Sequence, residues 1–204
     1  MKTNQSKLAA CLLLVAITVG CMPPEPQEVV VYTALDQEFS QPIFERFTRE
    51  TGIAVLPKFD TESTKTVALA NAIIAERKRT RCDLFWNNEI LNSLRLEREG
   101  LLAVYRSPLA ENFPAMYRSA DGRWHGFAAR ARVLLVNTDL VPESDRPTSI
   151  HDLADPRWKD RVGLAKPLFG TTATHAACLF AYWGDERARE FFLAVKENAR
   201  IMAG

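Results

Sequence analysis

The sequence predicts an α/β protein, and three observations carry that prediction. Short β-branched runs, the clearest being Val29-Val30-Val31-Tyr32-Thr33, alternate with segments whose apolar residues recur at helical spacing. The alternation is regular from residue 29 to about 100, which implies parallel strands joined by right-handed crossovers, with helices on both faces of the sheet. A second strand-and-helix unit begins near residue 149, after a loop-like stretch marked by Pro142, Asp145 and Pro147.

Taken in order, residues 29–33 form a buried strand. Phe39, Ile43, Phe44 and Phe47 recur as one face of a helix, and Thr51-Gly52 supplies its C-cap. Ile53 to Phe59 reads as the second strand. Residues 62–79 form the second helix, with Val67, Ala70, Ile73 and Ile74 on one face and a basic run near its end, where the helix dipole favours cations. Cys82 to Trp86 is a third strand, residues 89–99 a third helix closed by Gly100, and Leu101 to Tyr105 another short strand. A polar, irregular stretch from Arg106 to Arg123 precedes strands at Trp124 to Phe127 and Arg132 to Val136. Beyond it come a short helix at Ser149 to Ala154, a turn at Asp155-Pro156-Arg157-Trp158 and a strand at Arg161 to Ala165. Gly170-Thr171-Thr172 opens a helix that runs to about Trp183; Gly184 breaks it, and residues 185–199 make a last amphipathic helix. There are no internal repeats and no low-complexity tract.

The first residues read as an address. Lys2 and Lys7 precede an apolar run, Leu8 to Val19, too short to span a bilayer as a helix but suited to the core of a secretory signal. Thr18-Val19-Gly20-Cys21 resembles a bacterial lipobox, in which the Cys is lipidated and becomes the mature N-terminus; an ordinary cleaved signal is the alternative. The Pro-rich residues after Cys21 suit a stiff tether. The chain is therefore expected at the cell envelope, in the periplasm or on the outer face of the cytoplasmic membrane, anchored at Cys21.

Across all 204 residues Lys and Arg number 26 against 25 Asp and Glu, so no nucleic-acid footprint is expected. Of the four Cys, Cys11 falls in the signal and Cys21 is the lipid candidate. Cys82 and Cys178 read as two separate thiols rather than a bridge. No P-loop, nucleophile elbow or H-E-x-x-H motif appears, and catalysis is not expected.

In parallel sheets ligands gather at the carboxyl ends of the strands, which nominates Thr33 to Asp36 and Asn87 to Glu89. The order of several segments then resembles a known family. Val31-Tyr32, Glu50-Thr51-Gly52-Ile53, Asp83-Leu84-Phe85-Trp86-Asn87-Asn88, Glu99-Gly100-Leu101-Leu102, Asp121-Gly122-Arg123-Trp124, Ala129-Arg130-Ala131-Arg132-Val133 and Asp155-Pro156-Arg157-Trp158-Lys159 together resemble the iron(III)-type substrate-binding proteins of bacterial ABC importers. The resemblance implies a type II periplasmic-binding fold, two α/β lobes joined by crossing strands and closing on a ligand between them. It divides the chain into a lipoprotein signal (1–20), a tether (21–28), a first lobe with its crossing strand (29–137) and the start of a second lobe (138–204), which is expected to be incomplete. Arg132 to Asn137 would be the crossing strand.

By the same resemblance, Asp36 stands where iron-binding members commonly place a His, and Asn88, with Glu89 adjacent, where they place a Glu. Asp36 is a hard oxygen donor; Asn88 is a poorer one. The pair of adjacent Tyr that members use in the second lobe has no counterpart, since Tyr32, Tyr105, Tyr117 and Tyr182 are isolated. Gly170, Thr171 and Thr172 at a helix start would hold a synergistic anion, with plain N-capping as the alternative. Arg130 and Arg132, one residue apart and so on one face of the expected strand, would one or both add charge to it, or else make surface salt bridges. His175 and Cys178 read as helix packing, His125 and His151 as solvated, and Trp86 and Trp124 as core aromatics beside the cleft. The expected role is that of a monomeric solute-binding lipoprotein, carrying ferric iron with a synergistic anion to an importer permease. The alternatives are a binder of a phosphonate or organic anion, and a remnant that binds nothing.

Overall fold

A computed structural model of the chain describes residues 27–60, 66–168 and 170–202. The signal, Cys21 and nearly all of the tether lie outside them, as do the first residues of the second expected helix.

Strand β1 (Glu28–Thr33) lies at the centre of a three-stranded parallel sheet between β2 (Ala54–Phe59) and β3 (Leu84–Trp86). Its Val-rich sequence suits that position, because a central parallel strand is covered on both faces. Helix α1 (Gln37–Thr51) connects β1 to β2, and α2 (Val67–Ala75) precedes β3. Helix α3 (Ile90–Arg98) follows β3. Alternate residues of β1 face opposite helices. Tyr32 packs with Leu69, Ile73 and Leu96 of α2 and α3. On the other face, Phe59 and Trp86, which flank Thr33 in register, meet Phe44 of α1 at ring-centroid distances of 6.5 and 5.7 Å. Gly52 closes α1 at φ 75°, the left-handed cap expected of Thr51-Gly52.

Only part of the predicted α1 face is buried. Phe44 is 6% exposed, whereas Phe39, Ile43 and Phe47 remain largely open. Helix α2 stops at Ala75, earlier than the predicted residue 79. The next residues, Glu76-Arg77-Lys78-Arg79-Thr80-Arg81, offer no apolar face and crowd like charges together, so the chain passes into turns. Glu76 then turns its carboxylate to the Tyr32 hydroxyl, which donates at 2.8 Å, while Lys58 sits 4.2 Å over the Tyr32 ring. Burial first, and then the Glu76 hydrogen bond, push the Tyr32 phenol up to about 12.

Three predicted strands are absent as strands. Leu101–Tyr105 and Arg132–Val136 run without ladder pairing, and Trp124–Phe127 contributes one antiparallel bridge, His125 to Arg118. The apolar run at 133–136 has no strand partner among the described residues: Val133 is 78% and Leu135 97% exposed. A strand needs a neighbour to take its N–H and C=O groups, and a β-branched pattern alone does not provide one.

The second unit begins with the predicted short helix, a 3-10 turn at Ile150–Ala154 held by a capping box between Ser149 and Asp152. Strand β4 (Val162–Ala165), helix α4 (Gly170–Trp183) and helix α5 (Asp185–Asn198) follow as expected. A further strand, β5 (Ala199–Met202), was not foreseen. It pairs in parallel with β4, Val162 against Ala199 through Ala165 against Met202. Four residues directly after an amphipathic helix left no period-two signal to separate them from it.

Candidate functional site

The carboxyl edge of the first sheet is tied together by short-range hydrogen bonds. Ala34 N–H donates to Trp86 O at 3.0 Å, and Asp60 N–H to Thr33 O at 3.1 Å. The Asn88 amide reaches back to Ala34 O at 2.7 Å. These bonds hold the ends of β1, β2 and β3 level around an open cleft of about 470 Å³, lined by Ala34, Leu35, Asp36, Gln37, Glu38, Phe59 and Asp60. Asp36, predicted as a lobe-one contact, lines that cleft. It sits at the N-cap of α1, where its backbone carbonyl, not its carboxylate, accepts from Ser40 N–H at 3.1 Å.

Glu89 has a defined local duty. Its carboxylate caps α3, accepting from Leu91 N–H at 2.6 Å and Asn92 N–H at 3.1 Å, and it also takes the side-chain amides of Asn92 and Asn87. An acidic N-cap satisfies free N–H groups and meets the positive end of the helix dipole. The same carboxylate lies within 3.4 Å of the Thr174 hydroxyl, contributed by α4 from 85 residues further along. Glu89 thus brings the start of α4 to the ligand edge of the first sheet.

At that helix start Arg132 donates through one guanidinium nitrogen to the hydroxyls of Thr172 and, at 3.3 Å, of Thr171. Two separate sequence nominations, the second Arg of Arg130-Ala131-Arg132 and the Gly170-Thr171-Thr172 turn, therefore meet in space. Gly170 has φ 54°, a left-handed conformation that favours glycine at the start of α4. Burial, followed by the nearby Arg132 charge, lowers the His175 pKa, so the neutral imidazole is favoured beside this cation. Arg130 is exposed and makes no hydrogen bond or ion pair among the described residues; because residues 130–136 are not a strand, the spacing that would put it on the same face as Arg132 does not apply.

Other nominated residues have structural partners. Trp86 packs against Phe127 as well as Phe44, and Trp124 donates from its indole to Glu97 at 3.2 Å. Cys82 and Cys178 are free thiols; burial pushes Cys82 up to about 11. His151 is exposed, as expected, and one face of its ring stacks on Trp183 at 4.6 Å. Among the described residues no three His, Cys, Asp or Glu side chains converge as a metal-binding group. Sequence reasoning missed Asp60 and Phe59 as cleft residues, although the strand-end rule that found Asp36 applies equally to the end of β2. Asn87, nominated with Asn88 and Glu89 at the end of β3, steadies the Glu89 carboxylate by donating from its side-chain amide at 3.1 Å.

Against known proteins, a family model described as bacterial extracellular solute-binding protein matches residues 90–203. Iron uptake protein A1 of Synechocystis sp. is 33% identical over 141 residues, 69% of this chain and 38% of that protein. The major ferric iron-binding protein of Neisseria meningitidis serogroup A is 27% identical, covering 100% of this chain and 59% of its own length. Among solved structures, iron-bound HitA from Pseudomonas aeruginosa superposes with a TM-score of 0.80 at 27% identity, over 88% of this chain and 57% of that one. The chain spans about two fifths to three fifths of the length of these relatives. The architecture they share is the type II periplasmic-binding fold.

Proposed function

Because the chain belongs to the bacterial extracellular solute-binding protein family, we propose that it is the solute-binding component of an ABC importer, and that its cargo is ferric iron held with a synergistic anion. The observation that carries this reading is the meeting of Arg132 with Thr171 and Thr172 at the open start of α4, beside a Thr174–Glu89 contact to the first sheet. A helix start with free N–H groups, hydroxyl donors and a guanidinium is a ready anion site. In this reading the anion held there shares the metal with Asp36 and Asn88 of the first lobe, which would supply oxygen donors from the other side. Residues 29–137 act as one lobe and 138–204 as part of the other. The ligand favours the closed arrangement by its differential affinity for it, and the closed form docks on the permease. The chain works as a monomer tethered to the membrane through lipidated Cys21.

The relatives named for ferric iron support the metal. A second reading, a small phosphonate or organic anion bound without metal, is favoured by one specific observation: Glu89 already spends its oxygens on the α3 cap, which leaves the first lobe poor in carboxylate ligands. Ferric titration in the presence of citrate or carbonate, followed by visible absorbance and thermal shift, separates the two. Saturable stabilisation that needs iron and anion together supports the metal reading. Stabilisation by the anion alone, unchanged by iron, supports the other, and no response to either overturns both.

A further inference from the structure

We propose that His175 is a further binding residue for the anion at the start of α4, where it acts as a second cation beside Arg132. The proposal rests on the anion reading above and adds to it the residue that makes binding depend on a proton.

The helix itself puts His175 in place. It follows Thr172 by three residues and Thr171 by four, so the three share one face of α4. Side chains on a helix lean towards its amino end, which directs the imidazole back to the turn whose hydroxyls hold the Arg132 guanidinium. Its neighbourhood with Arg132 is also electrostatic. Burial first, and then the Arg132 charge, disfavour the imidazolium and hold the ring below its ordinary range.

The charges around this turn are predominantly positive. The connector brings Arg132 and, two residues before it, exposed Arg130; neither makes an ion pair among the described residues. Lys166 lies four residues ahead of α4 and is exposed. The acid that touches α4 is Glu89, through Thr174, and its carboxylate is already taken up by the α3 cap and the amides of Asn87 and Asn92. Helix α5 packs on α4 through Phe192 against Phe180 and Phe191 against Trp183, beyond His175 towards the far end of α4. Lys196 and Glu197, near the end of α5, are exposed and opposite in sign. A second cation beside Arg132 is therefore unfavourable until a counter-anion joins them.

An anion at the helix start supplies that counter-charge. It offsets Arg132, and the imidazolium then donates to it from a ring N–H in a charge-assisted hydrogen bond. The proton comes from solvent, so binding takes up part of a proton, and by linkage the affinity rises as pH falls. The gain is absent while the ring stays neutral with the anion bound. It is complete once the ring is charged with and without the anion. Arg132 cannot produce this dependence, because a guanidinium keeps its charge throughout. The ligand class that such a pair selects is a small, fully ionised oxyanion such as a dicarboxylate.

The test titrates the full chain with oxalate by isothermal calorimetry from about pH 8 to about pH 5.5, where both oxalate carboxyls stay ionised and an imidazole changes charge. The parent is expected to gain about tenfold in affinity towards the acid end, equivalent to a shift of about one unit in His175 on binding. Net proton uptake should appear when two buffers of different ionisation heat are compared. His175→Gln keeps a neutral donor, and its affinity is expected to stay within about twofold across the range, with no proton uptake. His175→Asn repeats the reading with a smaller side chain, and circular dichroism and melting temperature check both folds. Equal pH profiles in the parent and the variants overturn the inference, as does a loss of affinity in the variants that is the same at every pH. Absence of proton uptake by the parent overturns it without any variant. If the parent binds no oxalate at any pH the inference also falls, and the ferric titration above, read separately, tells whether the proposed function falls with it.

Discussion

The first sheet and the connector that follows it were predicted from the same kind of pattern, yet they fold differently. Val29-Val30-Val31-Tyr32-Thr33 and Arg132-Val133-Leu134-Leu135-Val136 are both apolar runs of strand length. The first is β1, paired on both sides and covered on both faces; the second runs unpaired with Leu135 almost wholly in solvent. What separates them is company rather than composition. β1 has β2 and β3 beside it and Phe44, Leu69 and Leu96 above and below, whereas the connector has no strand beside it among the described residues, buries Leu134 and Val136 only in part, and reaches the α4 turn through the Arg132 guanidinium. The lesson is that an apolar run of strand length states a preference for pairing, and the partner has to be found elsewhere in the chain.

The largest effect that would sharpen this contrast is Phe44→Ala. Phe44 is 6% exposed and touches Phe59 and Trp86 in one aromatic group over the sheet. Its removal is expected to cost about 3–5 kcal/mol, read as a loss in chemical-denaturation stability. A cost under about 1 kcal/mol would mean that α1 does not cover the sheet as described.

Next comes Tyr32→Phe, on the opposite face of β1. It deletes the donor to Glu76, whose carboxylate is left half-buried with Lys58 alone, and an effect of about 1.5–3 kcal/mol is expected for a hydrogen bond to a charged group. The pH dependence gives a sharper readout. The Tyr32 phenol titrates at about 12 in the folded chain against an ordinary 10.0, so the fold favours the protonated form. Its contribution is complete below pH 10 and is lost as pH rises towards 12. The parent should therefore lose stability across that window faster than the Phe variant; parallel curves would show that the Tyr32 proton is not linked to folding.

These two substitutions lie where the fold was most legible. The β-branched core of β1, the Thr51-Gly52 cap and the helix faces each express a local rule. The misses came where a rule needed a distant partner. β5 exists because β4 is there to pair with it, and the run at 132–136 has no such neighbour among the described residues. At the site, the helix-start rule found Gly170 to Thr172 and the strand-end rule found Asp36 and Asn88. Arg132 was nominated on a strand argument that the backbone does not obey, yet its guanidinium does reach the Thr hydroxyls. Glu89 was nominated as a ligand and stands as a cap, and sequence position alone does not distinguish these uses of a carboxylate in front of a helix.

Glu89 offers the third test, and it joins the two regions. Glu89→Ala should cost about 1 kcal/mol through loss of the α3 cap, whereas Glu89→Ser keeps a capping oxygen and should cost much less. If the Ser variant also keeps ferric affinity within about twofold, the carboxylate serves the helix and not the cargo. A tenfold or greater loss of affinity at preserved stability would make it a ligand as well, and would weaken the case for an anion bound without metal.

The smallest effect is the most pointed one for the comparison. Leu135→Ser replaces a 97%-exposed apolar side chain in the connector, where nothing packs against it. A surface change of this kind, away from caps, cavities and buried polar groups, is expected to move stability by no more than about 0.5 kcal/mol. The equivalent substitution in β1, Val31→Ser, puts a hydroxyl at a position only 2% exposed and should cost several times as much, because the buried apolar surface is lost and the hydroxyl needs a partner there. Measured side by side by urea denaturation, the two numbers test the contrast directly. A Leu135→Ser cost above about 1 kcal/mol would mean that the connector is packed in solution and that its strand-like pattern is satisfied after all. A near-zero cost at Leu135 beside a large one at Val31 would confirm that neighbours decide between strand and connector, and would leave Arg132 free to move with the α4 turn when an anion arrives.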